Sequence, residues 1–131
     1  MTGDNAEHNA ASEIARARVS LRAAEVLARE GLTADAVSDA YYAAFHAVRA
    51  LLFSIGEEPR THSGAIHLFN VRFIRTGRVD AKHLSALARA QHDRATADYG
   101  ASATFSEADA LEQIAAARAI IEEVERHLAR P

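Results

Sequence analysis

Every long segment of this chain returns its apolar residues with a period near 3.6, and none sustains the alternation that a half-buried strand needs. Such a chain buries its apolar surface by packing helix on helix, so the expected fold is all-α. Ser12 is placed to cap a first helix reaching about Glu30, with Ile14, Ala17, Leu21, Ala24 and Ala28 on one face and Gly31 as its stop. Residues 1–11 read as a disordered lead and residues 12–131 as one bundle domain. Thr33 can cap a second helix running to Ile55, and its stripe of Tyr41, Ala44, Phe45, Val48, Leu51, Leu52 and Ile55 suits the centre of a bundle. A third helix starts near Thr61 or Ser63 and carries Ile66, Phe69, Phe73 and Ile74 up to Gly77. The fourth runs from about Asp80 to Tyr99 and stops at Gly100. After the small-residue linker GASATF, Ser106 and Asp109 form a capping box for the last helix, which is expected to bury Leu111, Ile114, Ile121, Val124 and Leu128. Short connections make consecutive helices antiparallel neighbours, which gives an up-and-down bundle of four main helices plus a short fifth.

Composition removes several chemistries. The chain has no cysteine, which excludes disulfides, thiolate metal sites and cysteine nucleophiles. No apolar run approaches the roughly 20 residues that span a bilayer, and the N-terminal residues are polar and acidic, so no membrane partner and a cytoplasmic location are expected. There is no glycine-rich phosphate loop, no G-x-S-x-G and no histidine pair at metal spacing; neither metal nor cofactor is expected. The net charge of −3 hides an uneven distribution. Residues 60–94 hold Arg60, Arg72, Arg75, Arg78, Lys82, Arg89 and Arg94 against Asp80 and Asp93, a local +5 that leaves −8 for the remainder. One basic surface could thus meet phosphates on an acidic protein, or the cations could be scattered and solvated.

Two helices carry polar groups that a simple amphipathic pattern does not explain. On the second, Asp39, Tyr42, His46, Arg49 and Phe53 step by three and four and form another stripe beside the apolar one. That stripe can be covered by a helix of the same chain or by a second subunit, and Tyr42, His46, Arg49 and Phe53 are the candidate dimer surface. On the fourth, the inward stripe of Leu84, Leu87 and Ala88 continues as Gln91, Arg94, Ala95 and Asp98. Arg94 and Asp98 can pair, and a guanidinium held by a carboxylate at a cleft can grip a phosphate. His62 lies at the start of the third helix, where backbone N–H groups favour an anion.

The stretches YYAAFHAVRALL, PRTHSGAIHLF and RATADY, in that order and followed by an alanine-rich last helix, resemble a HEPN-domain protein over about residues 12–128. The likeness is to the short, single-domain prokaryotic branch formerly grouped as an uncharacterised family. That resemblance implies a helical bundle, commonly dimeric, often encoded beside a minimal nucleotidyltransferase in modules like toxin–antitoxin pairs. It also implies metal-independent ribonuclease chemistry by an arginine and a histidine four to six residues apart. Arg94 matches the arginine, but Tyr99 stands five residues on and no histidine follows before His127. His46 or His62 would then have to supply the imidazole. The expected site residues are Arg94, Asp98, Tyr99 and His62 for catalysis and Arg94, Arg60, Arg49 and His46 for RNA or nucleotide phosphate, with Tyr99 also a target for modification by the partner. The alternative is a non-catalytic homodimeric interaction module in which Arg94 and Asp98 form a structural pair.

Overall fold

In the computed structural model, which describes residues 3–99 and 105–130, the helices follow as α1 (Gly3–Arg29), α2 (Thr33–Ser54), α3 (His62–Phe69), α4 (Ala81–Tyr99) and α5 (Glu107–Ala129). No strand occurs among the described residues. The second helix is central and packs against all four others. Its alanines make this placement geometrically feasible. Ala36, Ala40, Ala43, Ala44, Ala47 and Ala50 are all buried, interleaved with Val37, Tyr41, Val48, Leu51 and Leu52, so neighbouring helices approach from several sides. α1 answers with Ala10, Ala17, Leu21, Ala24 and Ala28, and α5 with Ile114, Ala117, Ile120, Ile121 and Val124.

Several expected boundaries move. α1 begins at Gly3, so residues 3–11, expected to be a disordered lead, are helical, and Ala10 already belongs to the core. The segment is alanine-rich with no breaker, so packing on the bundle can extend the helix back past Ser12. Thr33 is the first residue of α2 and not its cap; Leu32 precedes the helix without a side-chain cap. Leu111 is 53 % exposed, because the inward line of α5 runs through Ala110, Gln113, Ile114, Ala117 and Ile120 and Leu111 falls beside it. Ala88 is likewise exposed, and the core line of α4 is His83, Leu87 and Ala90. Gly100 and most of the linker, residues 100–104, lie outside the described residues.

Two local features set the site. Thr61 caps α3 by accepting the Gly64 N–H at 2.9 Å, and a Cβ at Gly64 would lie 2.9 Å from that same oxygen. The cap fixes His62 in the first turn. At its other end α3 runs into a π-helical turn, Asn70–Ile74, which keeps both Phe69 and Phe73 buried before the chain reverses at Gly77, φ 76°.

Candidate functional site

Four helices bring polar side chains together along α2. Tyr41 is the pivot: it is fully buried, and its hydroxyl is hydrogen-bonded to Nδ1 of His62 on α3. The sequence pattern places Tyr41 in the apolar stripe, which is right for its ring and silent about its hydroxyl. His62 stacks on Phe45 with ring centroids 4.2 Å apart and an interplanar angle of 20°. From α4, the Arg94 guanidinium lies 5.1 Å from the Tyr41 ring centroid and 5.7 Å from that of Tyr42. Arg94 continues the line of Leu87 and Ala90, so the same helical spacing that builds the core carries a cation to its edge.

Among the described residues Arg94 has one carboxylate partner. Its Nη1 stands 3.5 Å from Asp98 Oδ2, and Ser38 donates to the other carboxylate oxygen at 3.1 Å. The expected Arg94–Asp98 pair is therefore present and tied back to α2. Arg94 Nε is buried and makes no hydrogen bond within the described residues, as is true of Arg49 Nε. Arg49 lies 5.0 Å from the Phe53 ring centroid and 5.8 Å from that of Phe45.

A buried carboxylate completes the cluster. Glu13 of α1 is 6 % exposed, its Oε2 lies 2.6 Å from His46 Nδ1, and its Oε1 lies 3.8 Å from Arg49 Nη1. Sequence reasoning missed Glu13. With a helix starting at Ser12 it would sit in an exposed first turn; with α1 starting at Gly3 it lies on the inward face one turn before Ala17.

The electrostatics follow from this crowding of cations. His62 titrates below the ordinary histidine range, first because it is buried and then because Arg94, Arg49 and His46 repel a further positive charge. Burial pushes the Tyr41 phenol up to about 12, with the Arg94 charge working the other way. On the Asp98 side the field reverses: burial, and then Asp35 and Asp98, raise the Asp39 carboxyl. Beside His62 an open cleft of ≈ 490 Å³ is lined by Phe45, Arg49, Phe53, Arg60 and the α2–α3 loop.

The expected residues thus divide. His62, Arg94, Arg49 and His46 converge; Arg60 lines the adjoining cleft; Asp98 holds Arg94 from its rim. Tyr99 is 84 % exposed and stands apart from the cluster. Of the stripe read as a dimer surface, Phe53 is buried by its own chain, while Tyr42, His46 and Arg49 are half-buried. Within the basic run from Arg60 to Arg94, two cations are partly neutralised, Arg72 by Glu57 and Arg89 by Glu112. Among the described residues no group of three or more His, Asp or Glu is arranged to hold a metal, and no helix is long and apolar enough to cross a membrane.

Comparison with known proteins places the chain in a family. The family model described as the HEPN domain matches residues 11–127. A UPF0332 protein of Thermotoga maritima is 33 % identical over 111 residues, covering 85 % of this chain and 84 % of that protein. A UPF0332 protein of Pyrococcus horikoshii is 44 % identical over 68 residues, 50 % of this chain and 48 % of that protein. A Methanocaldococcus jannaschii protein named "Putative toxin" is 35 % identical over 97 residues, 74 % of this chain and 66 % of that protein.

Proposed function

The chain belongs to the HEPN domain family, and on that premise we propose that it is a toxin-like protein that binds RNA or nucleotide phosphates and cleaves RNA without a metal ion. The observation that carries this reading is the meeting of Arg94 and His62 at buried Tyr41, the one over its ring and the other at its hydroxyl. An imidazole from α3 stands in for the one that the family pattern would place where Tyr99 is. The chemistry is attack of a ribose 2′-hydroxyl on the adjacent phosphate, with Arg94 stabilising the charge that builds on the phosphate oxygens. Arg49 and Arg60 supply further cations along the cleft, and the buried, unpaired Nε atoms of Arg94 and Arg49 leave donors for an anion.

A minimal nucleotidyltransferase is the proposed antitoxin partner, and the name of the Methanocaldococcus relative supports the toxin side of that pairing. Tyr99, exposed at the end of α4, is open to modification by such a partner. A cytoplasmic homodimer is part of the same reading, with the open portions of Tyr42, His46 and Arg49 available to the second copy.

The test is a chelator-treated cleavage assay on mixed cellular RNA with wild-type protein and Arg94→Ala side by side. Wild type should cleave and the variant should be slower by about 100-fold, the usual loss on removing one charge-stabilising donor. Equal rates from two folded proteins would take Arg94 out of the site. A second reading, a non-catalytic interaction module, draws on the Arg94–Asp98 pair. It predicts no cleavage by either protein and an association that survives added salt, whereas phosphate binding weakens steeply.

A further inference from the structure

We propose that Glu13 and His46 form the proton-accepting unit of this site, with the His46 lone pair on Nε2, and that Tyr41 holds His62 in the opposite tautomer as a donor to phosphate. This deepens the ribonuclease reading and rests on it.

The assignment follows from counting donors and acceptors. Both oxygens of the Glu13 carboxylate face donors, His46 Nδ1 at 2.6 Å and Arg49 Nη1 at 3.8 Å. The carboxylate, ion-paired with Arg49 and within hydrogen-bond distance of His46, can only accept, so His46 carries its proton on Nδ1 and, when neutral, leaves Nε2 bare. At His62 the logic inverts. The Tyr41 hydroxyl is fully buried and meets His62 Nδ1, while the neighbouring Arg94 offers donors only. If Nδ1 carried a proton, the tyrosine hydrogen would be left without an acceptor in a buried site, at the cost of an unsatisfied donor. Tyr41 therefore donates to Nδ1, and the free nitrogen of His62 bears a proton. The phenol, raised to about 12, keeps its hydrogen throughout the neutral range.

Two imidazoles flanking Phe45 are thus set to different tasks. His46 accepts at Nε2, and His62 donates at Nε2 beside Arg94. In the cleavage step the 2′-oxygen bonds to phosphorus while the P–O5′ bond breaks. The 2′-hydroxyl proton passes to His46, the 5′-oxygen takes a proton from water, and the resulting hydroxide is neutralised by the His46 imidazolium. Glu13 touches no substrate and is a positioning residue.

The experiment is a long-range proton–nitrogen NMR spectrum of histidine-labelled protein at mildly alkaline pH, paired with cleavage rates. His46 should show Nδ1–H with bare Nε2, and His62 the reverse; Glu13→Ala should release His46 toward the Nε2–H form, and Glu13→Asp should restore part of the original signature. His46→Asn should lower cleavage by about 100-fold and remove the acid limb of the pH–rate profile, while His67→Ala, an exposed control, leaves the rate unchanged. Wild-type His46 found protonated at Nε2 overturns the inference whatever the cleavage result. Cleavage that survives His46→Asn also overturns it and leaves the ribonuclease reading intact. Both tautomers as expected in a wild type that leaves RNA whole would overturn the ribonuclease reading, and the proton-accepting role with it.

Discussion

Tyr41 joins stability to the site, because one fully buried side chain meets His62 through its hydroxyl and Arg94 through its ring. Tyr41→Phe keeps the ring and should cost about 1–3 kcal/mol, the range for leaving a buried partner unsatisfied, as read from urea unfolding. Since burial raises the folded-state phenol to about 12 while the unfolded chain ionises near 10, the unfolded state loses its proton first. Stability from this group is complete below about pH 10 and falls between about 10 and 12; Tyr41→Phe should remove that part of the alkaline loss. The histidines act at the other end of the scale. His83 is 6 % exposed and titrates low, mainly through burial, with Glu123 opposing the shift, and His62 also titrates low. Below about pH 6.5 the unfolded chain binds protons that the folded chain resists, so the thermal midpoint should drop from pH 7.5 to 5.5. His83→Leu should show a shallower drop, and an unchanged slope would remove His83 from the account.

At the scale of single elements, local chemistry was legible where a signal is contained in four residues. Ser106 and Asp109 form the reciprocal capping box that their spacing predicts, each side chain accepting the other's backbone N–H at 3.0 Å. Ser106→Ala should cost about 1 kcal/mol, seen as a lower urea midpoint with unchanged slope. The third helix was expected to start near Thr61 or Ser63, and the structure shows Thr61 as its cap, holding the turn that presents His62. The π-helical turn was not legible. Phe69 and Phe73 have ordinary helical spacing, and the wider turn exists because both rings must reach the core as the chain approaches Gly77. The start of α1 was hidden for a similar reason. A polar, alanine-rich stretch carries little periodic signal of its own, and packing at Ala10 decides whether it is helical.

For the molecule as a whole, α2 is the axis on which both packing and site depend. Ala47 is fully buried among neighbouring helices, and Ala47→Leu should overpack that seam and cost about 1–3 kcal/mol, measured by thermal or urea unfolding. The sequence by itself determined the helical class, the approximate division into helices and the central role of α2, because periodicity and capping act between residues three or four apart. It also marked Arg94, His46 and Arg49 as polar groups out of pattern and His62 as a helix-start residue suited to an anion. Only the tertiary structure decided which of them meet. Glu13 joins His46 across 33 positions, Tyr41 joins His62 across 21, and Arg94 arrives from a fourth helix. Tyr99, next to the expected Asp98, is left in solvent by the direction in which α4 turns its last residues. Contacts between helices depend on the rotation of each about its own axis, and that rotation is set by the complete fit of the core, which no single helix encodes.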